Sequence, residues 1–195
     1  MRILELVPLH LRPLLQSGDS VVDATAGNGY DSLWLAEAVG PSGCVHAFDV
    51  QKSALVATRQ RLADAGYEKV LQTHHCSHAE MALHVPAGQR VILFNLGYLP
   101  GSQRDVTTKA DSTLPALCAA LALLARHGRL CVMTYSGHDS GRAEFHAVSD
   151  FFESLPLAHF TVTRTTCHNG SKRAPILFSV EKHRDMPYPE HSAKS

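Results

Sequence analysis

Apolar and polar positions along the chain follow two alternating periods. Seven short runs are rich in β-branched and apolar residues, which is typical of strands in a buried sheet. These runs are residues 21–24, 45–48, 70–73, 91–94, 130–133, 160–163 and 176–180. Most of the segments between them have apolar residues at helical spacing, so the pattern predicts strands that alternate with helices.

Two of the predicted helices have a distinct apolar face. Leucines recur at intervals of three and four residues from Leu114 to Leu124, which predicts one buried stripe on a helix. Asp111 or Ser112 is suited to cap the start of that helix. The spacing of apolar residues over 3–14 predicts a second amphipathic helix ahead of the first strand.

Alternating strands and helices imply a mostly parallel sheet with helices on both faces. The last two strands differ, because only residues 167–175 separate them, too few for a helical crossover, and they should form a C-terminal antiparallel hairpin. The predicted fold class is therefore α/β and Rossmann-like, with a mostly parallel seven-stranded sheet. One domain is expected over 1–182, with an irregular tail over 183–195.

The composition adds constraints on partners and location. Lysine and arginine number 18 together, as do aspartate and glutamate, so RNA binding would need a local basic patch. The five cysteines include no Cys-x-x-Cys pair, which predicts reduced thiols. No apolar run reaches the roughly 18 residues that span a bilayer, and the start lacks the layout of a signal peptide. We expect a cytoplasmic protein with no membrane attachment.

Ligands of open α/β sheets bind at the carboxyl ends of the strands. The first loop at that edge runs from Asp23 to Asp31 and contains Gly27 and Gly29. Glycines let a ligand approach the backbone, and the two acids suit a ligand with a cationic aminoacyl end. Ser32 stands where a dinucleotide fingerprint has its third glycine, and no P-loop Gly-Lys-Ser/Thr follows. An ordinary glycine-rich turn is the alternative.

The second strand also ends in an acid. Asp49 lies 26 positions after Asp23 (49 − 23) and can accept hydrogen bonds from both hydroxyls of a ribose. Nicotinamide cofactors and S-adenosylmethionine (SAM) both present a ribose, and Ser32 in place of the third glycine favours SAM. The alternative for Asp49 is a solvated carboxylate that caps a helix.

The third loop is the histidine-rich segment from His74 to His78. Its composition suits zinc, but His74 and His75 should point to opposite sides of a strand, and no second Cys/His pair at metal spacing follows. We therefore expect no metal. The preferred interpretation is a loop beside the adenine of the cofactor, with Ser77 and His78 as polar contacts.

The fourth loop, residues 95–101, resembles the Asn-Pro-Pro-Tyr motif of amino-methyltransferases, with Leu96 and Gly97 in place of the two prolines. In that motif the asparagine side chain and a following carbonyl accept hydrogen bonds from the target amine, and the aromatic ring packs on the base. Acceptors at Asn95 would orient the N–H bonds of an amine, and Tyr98 would pack on a base. A plain turn after a buried strand is the alternative.

The fifth loop supplies candidate proton acceptors. Tyr135, His138 and Asp139 follow the fifth strand, and an imidazole is suited by its pKa to take a proton from an ammonium. Helix capping by Asp139 or Ser140 explains the same residues equally well.

Cations near this edge suggest contacts with phosphates. Lys172 and Arg173 are adjacent in the final hairpin turn, and Arg104, Lys109, Arg142 and Arg164 are candidate neighbours. Solvated surface charge accounts for them equally well.

Together these segments resemble a known family. The matching segments are residues 22–31, 48–51, 95–101, 107–108 and 135–138 and the pattern Gly141-x-x-Glu144. They resemble the MnmM (YtqB-like) family of bacterial class I methyltransferases over nearly the whole chain. That fold combines a parallel sheet with a final antiparallel hairpin, as predicted above.

The resemblance implies the reaction and its partners. Members of that family use SAM to convert 5-aminomethyl-2-thiouridine to its 5-methylaminomethyl form at the tRNA wobble position. A cytoplasmic homodimer that recognises the tRNA anticodon stem-loop is implied. The predicted cofactor contacts are Asp23, Thr25, Gly27, Asn28, Gly29, Asp31, Asp49, Gln51, Ser77, His78, Asn95 and Gly97. The predicted catalytic residues are Asn95, Tyr98, Tyr135 and His138.

Three alternatives remain at the level of sequence. The first keeps a SAM-dependent methyltransferase but changes its substrate to rRNA or a small-molecule amine. The second is an NAD-dependent oxidoreductase, which the Ser32 position and the Asn95 loop disfavour. The third is a module that binds SAM or RNA without chemistry.

Overall fold

The structure is a computed structural model that describes residues 3–97, 108–135, 139–171 and 174–184. Its strands are β1 (Ser20–Asp23), β2 (Cys44–Phe48), β3 (Leu71–His74), β4 (Gln89–Asn95), β5 (Leu124–Thr134), β6 (Phe160–Thr165) and β7 (Ile176–Lys182). Its α-helices are α1 (Ile3–Leu11), α2 (Tyr30–Val39), α3 (Lys52–Asp64), α4 (Ala110–Leu123) and α5 (Asp139–Glu153). Short 3₁₀ turns lie at Arg12–Leu14, Glu68–Val70 and His78–Leu83.

The seven strands form one sheet in the order β3-β2-β1-β4-β5-β7-β6. Neighbours from β3 through β5 are parallel, and β7 runs antiparallel to both β5 and β6. The predicted parallel sheet with a C-terminal antiparallel hairpin is confirmed. The strand order reverses direction between β1 and β4, and such a switch point opens a ligand crevice at the carboxyl ends of the strands.

Alternate residues of the central strands face two apolar cores. Val22 and Ile92 pack on one side against side chains of α4 and α5. Val21 and Val91 pack on the other side, where α1 and α2 contribute residues such as Trp34. Burial of a side chain of this size stabilises the fold by about 1.5–3 kcal/mol. Burial on both faces explains why these strands are nearly continuous apolar runs, as parallel strands usually are.

The start and end of α4 differ from the prediction. Lys109 precedes the helix without a side-chain cap bond, so Asp111 and Ser112 lie in its first turn and do not cap it. The Ser112 hydroxyl instead donates to the carbonyl of Lys109. Leu124 has an extended backbone and begins β5, because it pairs with Gln89 of β4. The buried stripe therefore ends one turn earlier than the leucine spacing indicates.

The leading amphipathic helix is confirmed as α1, which continues into a 3₁₀ turn. Among the described residues, none of the helices has the length and apolar character needed to cross a bilayer.

Candidate functional site

The loop between β1 and α2 is held in a backbone conformation that requires glycine. Gly27 and Gly29 have φ angles of +52° and +77°, in the left-handed region that side chains with a Cβ rarely adopt. Helix α3 supports the loop from below, because the Thr58 hydroxyl and the Arg61 guanidinium donate to the carbonyls of Gly27 and Asn28. Free N–H groups at the start of α2 can therefore face a ligand.

Gly29→Ala is expected to lower the free energy of unfolding by about 3 kcal/mol. A Cβ at Gly29 would lie 2.7 Å from the Thr58 Cα, which is backbone and cannot rotate away. Overpacking of this kind adds ~1–3 kcal/mol to the ~1–2 kcal/mol cost of the left-handed backbone. Urea unfolding measures the change.

Gly66 provides a matched control for Gly29. It has a φ angle of +79°, but nothing lies within 4 Å of a Cβ built there. Gly66→Ala should therefore cost only the backbone term, ~1–2 kcal/mol. Equal costs for the two substitutions would contradict the close packing of the loop on α3.

The carboxyl group of Asp23 is buried beneath this loop. The side chain has no exposed surface, and it accepts hydrogen bonds from the Ser32 hydroxyl at 2.6 Å and the Thr25 N–H at 3.2 Å. Burial, followed by the negative charge of Asp31, raises the pKa of Asp23 to about 7. A direct contact between Asp23 and the cofactor stays a prediction. The structure makes Asp23 a support that ties the end of β1 to α2.

This buried acid predicts a pH dependence of stability. The pKa of Asp23 is raised on folding from 3.8 to about 7, so the folded state binds its proton more tightly than the unfolded state. Its contribution to stability is therefore complete below pH 3.8 and is lost as the pH rises towards 7. We expect the difference in unfolding free energy between wild type and Asp23→Asn to shift in favour of the variant over this range.

Urea unfolding at a series of pH values tests this dependence. Histidines whose pKa is lowered by burial, such as His46 and His74, titrate in both proteins and cancel in the difference. A difference that does not change with pH would show that folding does not shift the pKa of Asp23.

Asp49 joins the first two loops. Its Oδ2 accepts the Gly27 N–H at 3.0 Å, and its Oδ1 accepts the Gln51 N–H at 2.8 Å. The carboxylate is partly exposed at the end of β2, and each of its oxygens has a further lone pair. The role of Asp49 as an acceptor for a ribose stays a prediction.

The third loop contains a capping box that the sequence analysis missed. The Ser77 hydroxyl accepts the Ala79 N–H at 3.2 Å, and Glu80 accepts the Ser77 N–H at 3.3 Å. The spacing Ser-x-x-Glu is the signal that indicates this motif. Part of the hydrogen-bonding capacity of Ser77 therefore holds the loop rather than a ligand.

His78 lies buried behind that loop. Its ring meets the edge of Phe94 at a centroid distance of 5.5 Å, and burial lowers its pKa. The Nε2 atom is buried without a hydrogen-bond partner among the described residues. A buried polar atom of this kind is suited to a ligand or an ordered water.

The Asn95 side chain is oriented by Asp31. Its Nδ2 donates to Asp31 Oδ2, while the Trp34 indole N–H donates to Asp31 Oδ1 at 2.8 Å. A carboxylate only accepts hydrogen bonds, so the amide nitrogen must face Asp31 and the amide oxygen Oδ1 must face the other way. The Asn95 N–H donates to the Thr25 hydroxyl at 2.7 Å, which joins this loop to the first. Asn95 therefore presents an acceptor at the switch point.

Burial raises the pKa of Asp31, which places a carboxylate of increased basicity directly behind Asn95. Tyr135 directly follows β5. Burial raises the pKa of its phenol, and the negative charge of Asp31 raises it further. Gly97 has a φ of +139°, and a Cβ there would lie 3.6 Å from the Tyr135 ring. Asp31, Asn95, Gly97 and Tyr135 therefore lie together, as the sequence predicted.

A buried carboxylate on α5 is linked by hydrogen bonds to Gly97 and Thr108, the described residues on either side of the segment 98–107. The Gly97 N–H donates to the Thr108 hydroxyl at 2.8 Å, and that hydroxyl donates to Glu144 Oε2 at 2.9 Å. The Thr113 hydroxyl donates to Glu144 Oε1 at 2.7 Å. In the sequence, Thr108 and Glu144 are recognised only as part of the family pattern, which gives them no role. They connect Gly97 and the start of α4 to α5.

Several predicted residues lie outside the described part of the chain. These are Tyr98 and His138, the side chains of Asp139 and Ser140, and the cations Arg104, Lys172 and Arg173. Of the other predicted cations, Lys109 precedes α4, Arg142 lies in the first turns of α5, and Arg164 is near the end of β6. All three are exposed at the same edge of the sheet as the loops described above.

Comparison with known proteins identifies relatives. Residues 45–181 match the family described as "putative rRNA methylase". A protein from Arabidopsis thaliana named "tRNA (mnm(5)s(2)U34)-methyltransferase, chloroplastic" is 36% identical over 179 residues, which cover 87% of this chain and 65% of that protein. The chain thus spans somewhat less than two thirds of that relative.

Solved structures agree in fold. A "putative rRNA-methylase" from Clostridium thermocellum has a TM-score of 0.91 and 33% identity, covering 93% of this chain and 98% of its own. A "putative methyltransferase" from Streptococcus mutans, solved with SAH, has a TM-score of 0.83 and 34% identity over the same shares of each chain. These likenesses confirm the Rossmann-like fold of class I methyltransferases. Given a family match over most of its length, the chain belongs to the family described as "putative rRNA methylase".

Proposed function

We propose that this chain is a SAM-dependent N-methyltransferase that converts 5-aminomethyl-(2-thio)uridine to 5-methylaminomethyl-(2-thio)uridine at the tRNA wobble position. The observation that carries the proposal is the Asp31–Asn95 pair at the switch point of the sheet. Asp31 holds the side-chain nitrogen of Asn95, which leaves its amide oxygen Oδ1 as an acceptor for an amine. The printed name of the Arabidopsis relative supports the substrate, and the SAH in the Streptococcus structure supports the cofactor.

The described residues fit SAM. Asp49 offers carboxylate oxygens for the ribose, and His78 holds a buried Nε2 without a described partner on the side expected for adenine. The turn at Gly27 and Gly29 brings backbone close to the site, and Asp31, at the start of α2, offers a carboxyl group for an aminoacyl ammonium. When bound, SAM supplies an electrophilic methyl group on a sulfonium.

The chain's own residues would orient the amine. Asn95 Oδ1 would accept a hydrogen bond from one N–H group of the amine, so that the lone pair of the nitrogen points at the methyl group of SAM. In the transfer the nitrogen–methyl bond forms, the sulfur–methyl bond breaks, and the amine nitrogen releases a proton. An alkylamine is mostly protonated at neutral pH, so a base must act before transfer.

Binding of tRNA would use the exposed cations beside the site. Lys109, Arg142 and Arg164 surround the edge at which the loops meet, and phosphate contacts of this kind position an RNA without specifying its sequence. We further propose a cytoplasmic homodimer that recognises the anticodon stem-loop, and a single domain over 1–182. These last points rest on the resemblance to the MnmM family.

A methyl-transfer assay tests this function. Bulk tRNA from a strain that lacks the gene is incubated with the chain and labelled SAM, then digested to nucleosides. We expect label in 5-methylaminomethyl-2-thiouridine. Label in another nucleoside would keep the methyltransferase and reject the substrate. No label in tRNA, but label in rRNA or a small amine, would favour the alternative substrates.

A further inference from the structure

The edge of the sheet opposite the cofactor loops carries an irregular segment of β5. Gln89 and Val91 of β4 pair with Leu124 and Arg129, so the residues between Leu124 and Arg129 bulge out of the ladder. His127 lies in this bulge with a φ of +61°, a conformation that is uncommon for a residue with a side chain. His127 is therefore not part of the regular strand pairing between β4 and β5.

His127 meets two other potential ligands beside β7. Its Nδ1 lies 3.5 Å from Glu181 Oε1, and His183 Nδ1 lies 3.8 Å from the same oxygen. One ligand atom from each residue lies within 4.8 Å of the others, and among the described residues this is the group found with such spacing. Tetrahedral ligands about 2.1 Å from a zinc ion are about 3.4 Å apart, close to the two measured separations.

Further contacts orient two of these ligands. Arg129 Nη1 binds Glu181 Oε2 at 2.7 Å, so the other oxygen, Oε1, faces the histidines. The Thr161 hydroxyl lies 2.7 Å from His183 Nε2, which leaves Nδ1 as the nitrogen that faces Glu181. Metal-binding histidines usually have their second nitrogen fixed by a hydrogen bond in this way.

We propose that His127, Glu181 and His183 form a binding site for a borderline divalent transition-metal ion, with Zn²⁺ as its representative. Two imidazoles and one carboxylate suit such an ion, and water can complete the coordination. The ion would join β5 to the end of β7, and Thr161 would connect it to β6. This site is distinct from the loop His74–His78, where the sequence indicated no metal.

The site is remote from methyl transfer. Arg129 and Thr134 mark the two ends of the regular part of β5, which at ~3.4 Å per residue are about 17 Å apart. Arg126 and Arg129 add positive charge next to the ion, so its affinity should be lower than that of a four-ligand structural site.

Calorimetric titration of the full, EDTA-treated chain with Zn²⁺ tests the proposal. We expect one site per chain, a Zn²⁺-dependent rise in Tm, and at least a tenfold loss of affinity in His127→Ala and in His183→Ala. Thr161→Val keeps all three ligands and should still weaken binding by ~10-fold, since it frees the second nitrogen of His183. A merely adventitious pair of surface histidines would not respond to Thr161.

The control is His168→Ala, which removes an exposed histidine in the turn between β6 and β7, at the other edge of the sheet. It should bind Zn²⁺ like the wild type. Melting of the metal-free variants shows that each is folded before titration. Unchanged Zn²⁺ affinity in the folded His127→Ala and His183→Ala chains would overturn the proposal, as would loss of the site after alkylation of the cysteines alone.

Discussion

Replacing Asn95 by alanine is expected to lower kcat by about a hundredfold and to leave the Kd for SAM within about twofold. The amide oxygen of Asn95 is the acceptor proposed for the amine, while its nitrogen is held by Asp31. Removal of one group that stabilises the reacting centre typically costs ~10²–10³ in kcat. Single-turnover transfer to tRNA at saturating SAM measures the step, and calorimetry measures the Kd.

Asp31→Asn is an informative companion to Asn95→Ala. An asparagine at position 31 removes the charge and one of the two acceptor oxygens, so it can accept the Asn95 amide only if its NH2 group faces the Trp34 indole. An unchanged kcat in this variant would show that the charge of Asp31 does not contribute to methyl transfer. If Asn95→Ala weakens SAM binding strongly but transfers methyl normally at saturating SAM, Asn95 belongs to the cofactor site and the assignment fails.

Asp49→Ala should have the opposite effect, with SAM affinity reduced by about a hundredfold and kcat at saturating SAM near that of wild type. The carboxylate accepts the N–H groups of Gly27 and Gln51, and it is the proposed acceptor for the ribose. Hydrogen bonds to a charged group are worth ~1.5–3 kcal/mol, and 1.4 kcal/mol corresponds to tenfold in affinity. Loss of two such bonds at the lower end of this range, ~3 kcal/mol together, corresponds to roughly a hundredfold.

Asp49→Asn is the matched control, because it keeps one acceptor oxygen and the size of the side chain. Its SAM affinity should lie between those of wild type and Asp49→Ala. Urea unfolding separates this effect from a loss of the loop itself. Wild-type SAM affinity in the folded Asp49→Ala chain would remove Asp49 from the cofactor site.

The positions of the loops could be predicted from sequence, because they depend on local periodicity. Parallel strands bring their carboxyl ends to one edge, so residues as distant as Asp31 and Asn95 could be placed together before any coordinates. Their pairing also explains why Asn95 presents its oxygen, but that orientation depends on a contact between α2 and the end of β4. Sequence spacing carries no signal for a contact of that kind.

Other features escaped prediction for related reasons. The burial of Asp23 beneath its loop and its hydrogen bond from Ser32 depend on the packing of α2 against β1, which sequence spacing does not show. Glu144 holds Thr108 and Thr113 from another helix, and the His127–Glu181–His183 group depends on the bulge in β5. At the start of α4 the local sequence predicted the wrong capping residue. Aspartate and serine are common both as caps and in the first turn of a helix, and Asp111 and Ser112 lie in the first turn.

The central claim is methyl transfer to an aminomethyl group on the wobble uridine, and a pair of synthetic anticodon stem-loops tests it most directly. One carries 5-aminomethyl-2-thiouridine, and the other carries the same nucleoside with its amine acetylated. Mass spectrometry after incubation with the chain and SAM should show the gain of one methyl group on the first RNA and no change in the second. Methylation of both RNAs, or of neither while SAM binds, would contradict an amine target oriented by Asn95.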